Sequence, residues 1–177
     1  MQEFVVLVDD TNTPIGTADK ATVHTTNTPL HRAFSLFLFN ANNQILLTKR
    51  ADNKKTFPGV WTNTVCGHVA PGETTIDAAV RRLHDELGID GVTLSEVSPY
   101  RYRFADVHGI VENEICPIVV GHYNHDPAPN PSEVDAWRWM DWESFLKDLE
   151  VNTQVYSPWS REEAKILMKK LPQKDLG

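Results

Sequence analysis

Residues 67–89, GHVAPGETTIDAAVRRLHDELGI, restrict the fold more than any other segment of the chain. From Thr75 onward, Ile76, Ala79, Val80, Leu83 and Leu87 recur at helical spacing, which predicts one stripe built to pack. Arg82 and Glu86 stand four residues apart on another face. One face packs and the other is left for chemistry.

Strand signals surround this helix. Phe4–Val8 is a short apolar run closed by the turn-rich stretch 9–16, and 33–39 with 44–50 flank Asn40-Ala41-Asn42-Asn43 as a hairpin. Residues 100–104 and 110–115 alternate in character, with a turn at 106–109. The period of two puts Tyr100, Tyr102 and Phe104 on one face of the first strand. It puts Glu112 and Glu114 together on one face of the second, a pair that a strand does not bury without purpose. Residues 123–133, rich in Pro, Asn and Asp, read as a loop, and 137–140 resume a strand pattern. Two helices close the chain, one over 142–149 after an Asp141 cap, the other opening on the capping box Ser160-Arg161-Glu162-Glu163. There is no internal repeat. Strands interleaved with one central helix and followed by helices predict an α/β or α+β layered domain.

The chain's 177 residues, 41% of them hydrophobic, suit one domain over 1–177 with a substantial core. Its first ten residues carry neither a basic n-region nor a long apolar run, and no apolar stretch approaches a membrane span, so the expectation is a soluble, cytoplasmic protein that engages no membrane. The two cysteines, Cys66 and Cys116, make no disulfide framework. A formal charge of −7 argues against a nonspecific nucleic-acid binder, so any anionic ligand must meet a local basic cluster.

Set against the pattern Gly-x5-Glu-x7-Arg-Glu-U-x-Glu-Glu-x-Gly-U, with U apolar, the chain supplies Gly67, Glu73, Arg81, Leu83, Glu86, Gly88 and Ile89 in register and so resembles the Nudix box. Arg82 and Asp85 replace two of its glutamates. Hydrolases of that superfamily hold water-activating divalent ions on those carboxylates, so a cation at 82 implies a kept scaffold and a lost hydrolytic chemistry. Further pieces coincide: His24 with His31, the stretch 61–68 reading WTNTVCGH, the glutamates of VENEICP and Ser157-Pro158-Trp159. Together, over about residues 20–159, they resemble type I isopentenyl-diphosphate isomerase. That resemblance implies a Nudix-like fold with a mixed β-sheet between helices, its core at about 30–165. It also implies interconversion of isopentenyl and dimethylallyl diphosphates.

Moving an alkene by one carbon takes two proton-transfer groups, and the resemblance implies Cys66 and Glu114, with Tyr102 delivering or polarising a proton near Glu114 and Trp159 facing the carbocation. Taken alone, Cys66 reads as a small buried apolar residue; its place before Gly67-His68 outweighs that reading. Trp61 packs near the pocket. His24, His31, His68, Glu112 and Glu114 match the family's transition-metal site and suit one Mn²⁺, Zn²⁺ or Fe²⁺. Lys20, Arg50, Lys54 and Arg82 match its diphosphate anchors, Lys55 being an alternative to Lys54, and Glu86 matches the position serving Mg²⁺ on the diphosphate. The partner implied is a small isoprenoid diphosphate, and the expected state is a monomer. Two other readings stay open: a Nudix hydrolase of a small diphosphate, and a noncatalytic diphosphate-binding module.

Overall fold

A computed structural model describes residues 2–171. In chain order it contains β1 (Phe4–Val8), β2 (Pro14–Asp19), α1 (Lys20–Val23), β3 (His31–Phe39), β4 (Gln44–Arg50), β5 (Trp61–Thr62), β6 (Val65–His68) and α2 (Thr75–Leu87). There follow β7 (Leu94–Ser98), β8 (Arg101–Ala105), β9 (Val111–Ile115), β10 (Ile118–His122), β11 (Val134–Asp141), α3 (Trp142–Val151) and α4 (Pro158–Lys170).

The strand β3 organises the mixed sheet. It pairs in parallel with β9 and β10, and antiparallel with β1, β4 and β6. Residues 33–39 are buried on both faces, which suits a central strand covered by helices on each side. Phe34, Leu36 and Leu38 pack toward α2, while Phe37 and Phe39 pack toward α3 and α4. The sheet therefore lies between helices, as the fold expectation requires.

The expected hairpin over 33–39 and 44–50 has its turn, with Asn43 at φ 56°, but β3 and β4 pair only at Phe39↔Ile45. They then diverge: β4 pairs with β11 and β5, and β3 receives β6. Residues 14–16, read as the end of a turn-rich stretch, instead open the edge strand β2, which pairs with β1.

The helix α2 begins at a capping box, with Thr74 accepting from the Asp77 N–H and Asp77 accepting from Thr74. It ends at Gly88, whose φ of 62° favours glycine. Its buried stripe is Ala78, Ala79, Leu83 and Leu87, each leucine contributing about 2 kcal/mol by burial. Val80, expected on that stripe, is exposed, because the stripe is centred nearer Ala78 and Ala79. Asp141 caps α3 as expected. The box expected at Ser160 is displaced: Ser157 caps α4, Pro158 sits in its first turn, and Ser160 and Glu163 lie fully buried within it.

Candidate active site and metal centre

Strand register gathers most of the site. Tyr102 faces Glu114 across the β8–β9 pair, and Glu114 faces His31 across β9–β3, a row of three side chains. On β6, His68 pairs with Ala33 and Cys66 with Ser35. His24 arrives from the residue that ends α1. The ligand atoms of His24, His31, His68, Glu112 and Glu114 thereby fall within 4.8 Å of one another.

The bonding of this cluster tests whether it suits a cation. His24 Nε2 lies 3.1 Å from Glu112 Oε2, yet among the described residues both buried atoms are without a hydrogen-bond partner, as is His31 Nε2. His31 Nδ1–H donates to the Pro29 carbonyl at 2.9 Å, which turns Nε2 into the cluster, where a bound cation would take its lone pair in place of a proton. Thr56 Oγ1 donates to the other oxygen of Glu112. Such lone pairs converging in a dry site are costly without a positive charge among them, so the donor set fits a divalent transition metal. Burial pushes the Glu114 carboxyl up, but His31 and His68 outweigh it and hold the group well below the usual carboxylate range.

Beside the cluster opens a cavity of about 440 Å³, lined by Lys20, Arg50, Lys54, Lys55, Arg82, Cys66, Tyr102 and Trp159 among others. Its size is that of a small-molecule pocket. Tyr102 stacks on Trp159 with ring centroids 5.7 Å apart. The Trp159 indole N–H donates to Cys66 Sγ at 3.2 Å, and the thiol donates to Asn63 Oδ1 at 3.2 Å. Burial, with Glu163 next, pushes the Cys66 thiol up to about 12, so the group rests protonated.

At the cationic end, Arg82 is clasped by Glu86 at 2.6 Å and by Glu133 at 3.2 Å, and Lys54 also binds Glu133. Lys20 pairs with Glu3. Arg50 donates to the Thr56 and Phe57 carbonyls, which fixes its guanidinium at the cavity wall. Gly67 makes room for Arg82: a Cβ there would stand 3.1 Å from Arg82 Cγ and from the Phe34 ring. Glu86 lies behind Arg82 rather than in the cavity wall, its Oε1 taken by the guanidinium. Asp85 is half-exposed beside Arg81 and Arg82. Glu73 and Arg81 form a bidentate clasp, and Glu73 also accepts from the Ala70 N–H, so these two box residues close the loop before α2. Cys116 is core.

Five residues of this region escaped the sequence reading: Ser35, Thr56, Asn63, Glu133 and Glu163. Asn63 and Thr56 lay within or beside stretches already singled out, but their partners, Ser35 and Glu112, are far away in sequence.

The fold and box define a NUDIX domain: the model of that name matches residues 29–160. Two solved structures share the fold. A Deinococcus radiodurans protein aligns with TM-score 0.73 at 17% identity over 96% of this chain and all of its own, and the MutT protein of Methanosarcina mazei with 0.66 at 17% over 80% and 94%. Among curated proteins, the isopentenyl-diphosphate Delta-isomerase of Saccharopolyspora erythraea is 49% identical, over 91% of this chain and 84% of that protein. That of Paenarthrobacter aurescens is 50% identical, over 89% and 86%. The chain belongs to the isopentenyl-diphosphate Delta-isomerase family of NUDIX-domain proteins.

Proposed function

We propose that this chain, acting as a single domain, interconverts isopentenyl diphosphate and dimethylallyl diphosphate by protonating and deprotonating the alkene. The carrying observation is that one cavity is lined by a thiol, a tyrosine–carboxylate pair and an indole, with cations at its rim. The diphosphate would sit against Arg50, Lys54, Arg82 and Lys20, and Glu86 would be the carboxylate that holds Mg²⁺ beside it once Arg82 turns from Glu86 toward the phosphate. The Tyr102–Glu114 pair is one proton-transfer group: with the carboxylate ionised at rest, the tyrosine hydroxyl is what first presents a hydrogen on that wall. Cys66 is the other, taking or returning the second proton, and the two exchange roles with reaction direction. Trp159 offers its ring face to the tertiary carbocation between the two transfers.

His24, His31, His68, Glu112 and Glu114 would hold one Mn²⁺, Zn²⁺ or Fe²⁺, whose positive charge would orient Glu114 and make a proton shared between Tyr102 and Glu114 more acidic. Arg82 fills the helix face on which a hydrolase would gather carboxylates, and its guanidinium, steadied by Glu86, turns that face into a phosphate anchor. We place the protein in the cytoplasm as a monomer without nucleic-acid or membrane partners. Among the described residues no helix is long and apolar enough to cross a membrane.

The test is proton and phosphorus NMR of isopentenyl diphosphate with metal-loaded protein in D₂O. Dimethylallyl diphosphate carrying deuterium, with the diphosphate intact, is the expected result, and Cys66→Ala should remove it while diphosphate binding stays. Phosphate release without alkene migration would point to hydrolysis instead. Inertness of folded, loaded protein would point to a binding module.

A further inference from the structure

Glu163 has no part in the chemistry above, yet it is one of the least expected residues in the molecule. It lies in the first half of α4, wholly buried, with one side-chain hydrogen bond and no cation against it among the described residues. Its Oε2 accepts from Ser35 Oγ at 2.6 Å, and its Oε1 has no hydrogen-bond partner among the described residues. An apolar side chain of similar length would fill that space at lower cost, because a buried carboxyl with an unmet oxygen is destabilising in either protonation state. Burial raises the carboxyl to about 8, so it is protonated at neutral pH; with Oε2 accepting from Ser35, that proton lies on Oε1.

Ser35 explains the choice. A serine hydroxyl has one hydrogen to give and two lone pairs. The hydrogen goes to Glu163, and one lone pair takes the Asn63 Nδ2–H at 2.9 Å. What Ser35 then turns to Cys66 Sγ, 3.5 Å away, is its second lone pair. Asn63 is held in turn, its amide also donating to the Leu36 carbonyl at 2.9 Å and its oxygen accepting from Thr62 Oγ1 at 2.9 Å. Behind the sulfur therefore stand two fixed acceptors, Asn63 Oδ1 and Ser35 Oγ, while Trp159 supplies the donor.

We infer that Glu163 is a positioning residue for Cys66, acting through Ser35: by taking the only hydrogen of Ser35 it fixes the direction of hydrogen bonding behind the thiol and holds the sulfur in one orientation at the cavity wall. This rests on the reading of Cys66 as a proton-transfer group. Without an acceptor at 163 the Ser35 hydroxyl is free to swing its hydrogen onto the sulfur, and the thiol then occupies several orientations where one is productive. The requirement is for an acceptor, not for a charge, so glutamine satisfies it.

The experiment compares kcat and KM for isopentenyl diphosphate, with bound metal and thermal midpoint, in Glu163→Met, Glu163→Gln, Ser35→Ala and the Ser35→Ala/Glu163→Met double variant. Glu163→Met should lower kcat about tenfold or more with KM within about twofold and metal content unchanged, and Glu163→Gln should restore kcat to within about twofold of the parent. The double variant should be no slower than Ser35→Ala alone, as expected of residues on one path. Should Glu163→Met fail to fold, Ser35→Ala and Glu163→Gln carry the same comparison. An unchanged kcat in Glu163→Met or in Ser35→Ala, a loss confined to KM, or a Glu163→Gln variant crippled in kcat would each overturn the inference. Cys66→Ala separates the two levels: normal turnover there removes the reading of Cys66 itself. An inactive Cys66→Ala beside a fully active Glu163→Met removes only the positioning role.

Discussion

The Tyr102 hydroxyl donates to Glu114 Oε2 at 2.5 Å, while Glu114 Oε1 lies 3.0 Å from His68 Nε2. One carboxylate thus joins the cluster of histidines and glutamates to the cavity, one oxygen facing each. Burial, with Glu114 next, holds the Tyr102 hydroxyl well above its ordinary value, so it stays a donor throughout the working pH range.

Replacing Tyr102 by Phe removes that hydrogen and leaves the stacked ring in place. Turnover should fall about 10²-fold, the lower range for loss of a positioned proton-transfer group. Metal content should be unaltered. A Tyr102→Phe enzyme within about threefold of the parent in kcat would reduce Tyr102 to packing.

Thr56 holds Glu112 from outside the His/Glu cluster, so Thr56→Val tests the support of a proposed ligand without touching that residue itself. Affinity for the transition metal, read by competition with a chelator, should weaken about tenfold or more, and Glu112→Gln further still. Exhaustive chelation should abolish turnover and lower the thermal midpoint, because binding energy at a site spread over four chain segments is folding energy. Equal metal retention by Glu112→Gln and the parent would mean that Glu112 is not a ligand.

For Trp159 the ring and the indole N–H are separable. Trp159→Phe keeps a ring face but loses bonds to Cys66 Sγ and Thr62 Oγ1, and the weaker cation–π contact should combine with that loss to lower kcat about thirtyfold, on the order of 2 kcal/mol. A loss under about tenfold would leave Trp159 a shaping role only.

Glu163 also carries a signature in stability. Its carboxyl rises from an ordinary 4.5 to about 8 on folding, through burial first and then the nearby Glu114 and Glu162 carboxylates, against the lowering effect of Ser35. The folded state therefore holds a proton that the unfolded chain releases. The resulting stability is fully present below about 4.5 and is lost as pH rises through about 8. Glu163→Gln removes this dependence, so its thermal midpoint should gain on the parent steadily across that window, by an amount worth a few kcal/mol at most. Parallel midpoint curves would show that the carboxyl is not buried as described.

Much of this architecture was legible because it is local. The period of α2, the alternation that put Glu112 and Glu114 on one face and the stacked Tyr100, Tyr102 and Phe104 all follow from neighbours in sequence. What escaped was set by distant chain segments. Ser35 and Glu163 are separated by 128 residues, and no pattern in either neighbourhood announces the other. Glu163 was also masked by a plausible local role, since Ser160 and Glu163 have the spacing of a capping box. The true cap, Ser157 before Pro158, carries its own signal, a serine preceding a proline at a helix start. The divergence of β3 from β4 was likewise hidden, because turn chemistry fixes a reversal and not how far the two strands stay together.

The wiring of β3 has a consequence for how the chain becomes a protein. Its partners β1, β6, β9 and β10 come from before it, shortly after it and some eighty residues later, with Leu7, Cys66, Glu114 and Ile118 all in its registers. Pairings of such separation close slowly, because the chain entropy of long loops is lost before the contacts reward it. During synthesis His24, His31 and His68 emerge well ahead of Glu112 and Glu114, so the nascent chain carries three imidazoles without their carboxylates until β9 arrives. The five donor side chains are therefore complete only when the sheet closes, so any cation they hold would be captured in that one late event.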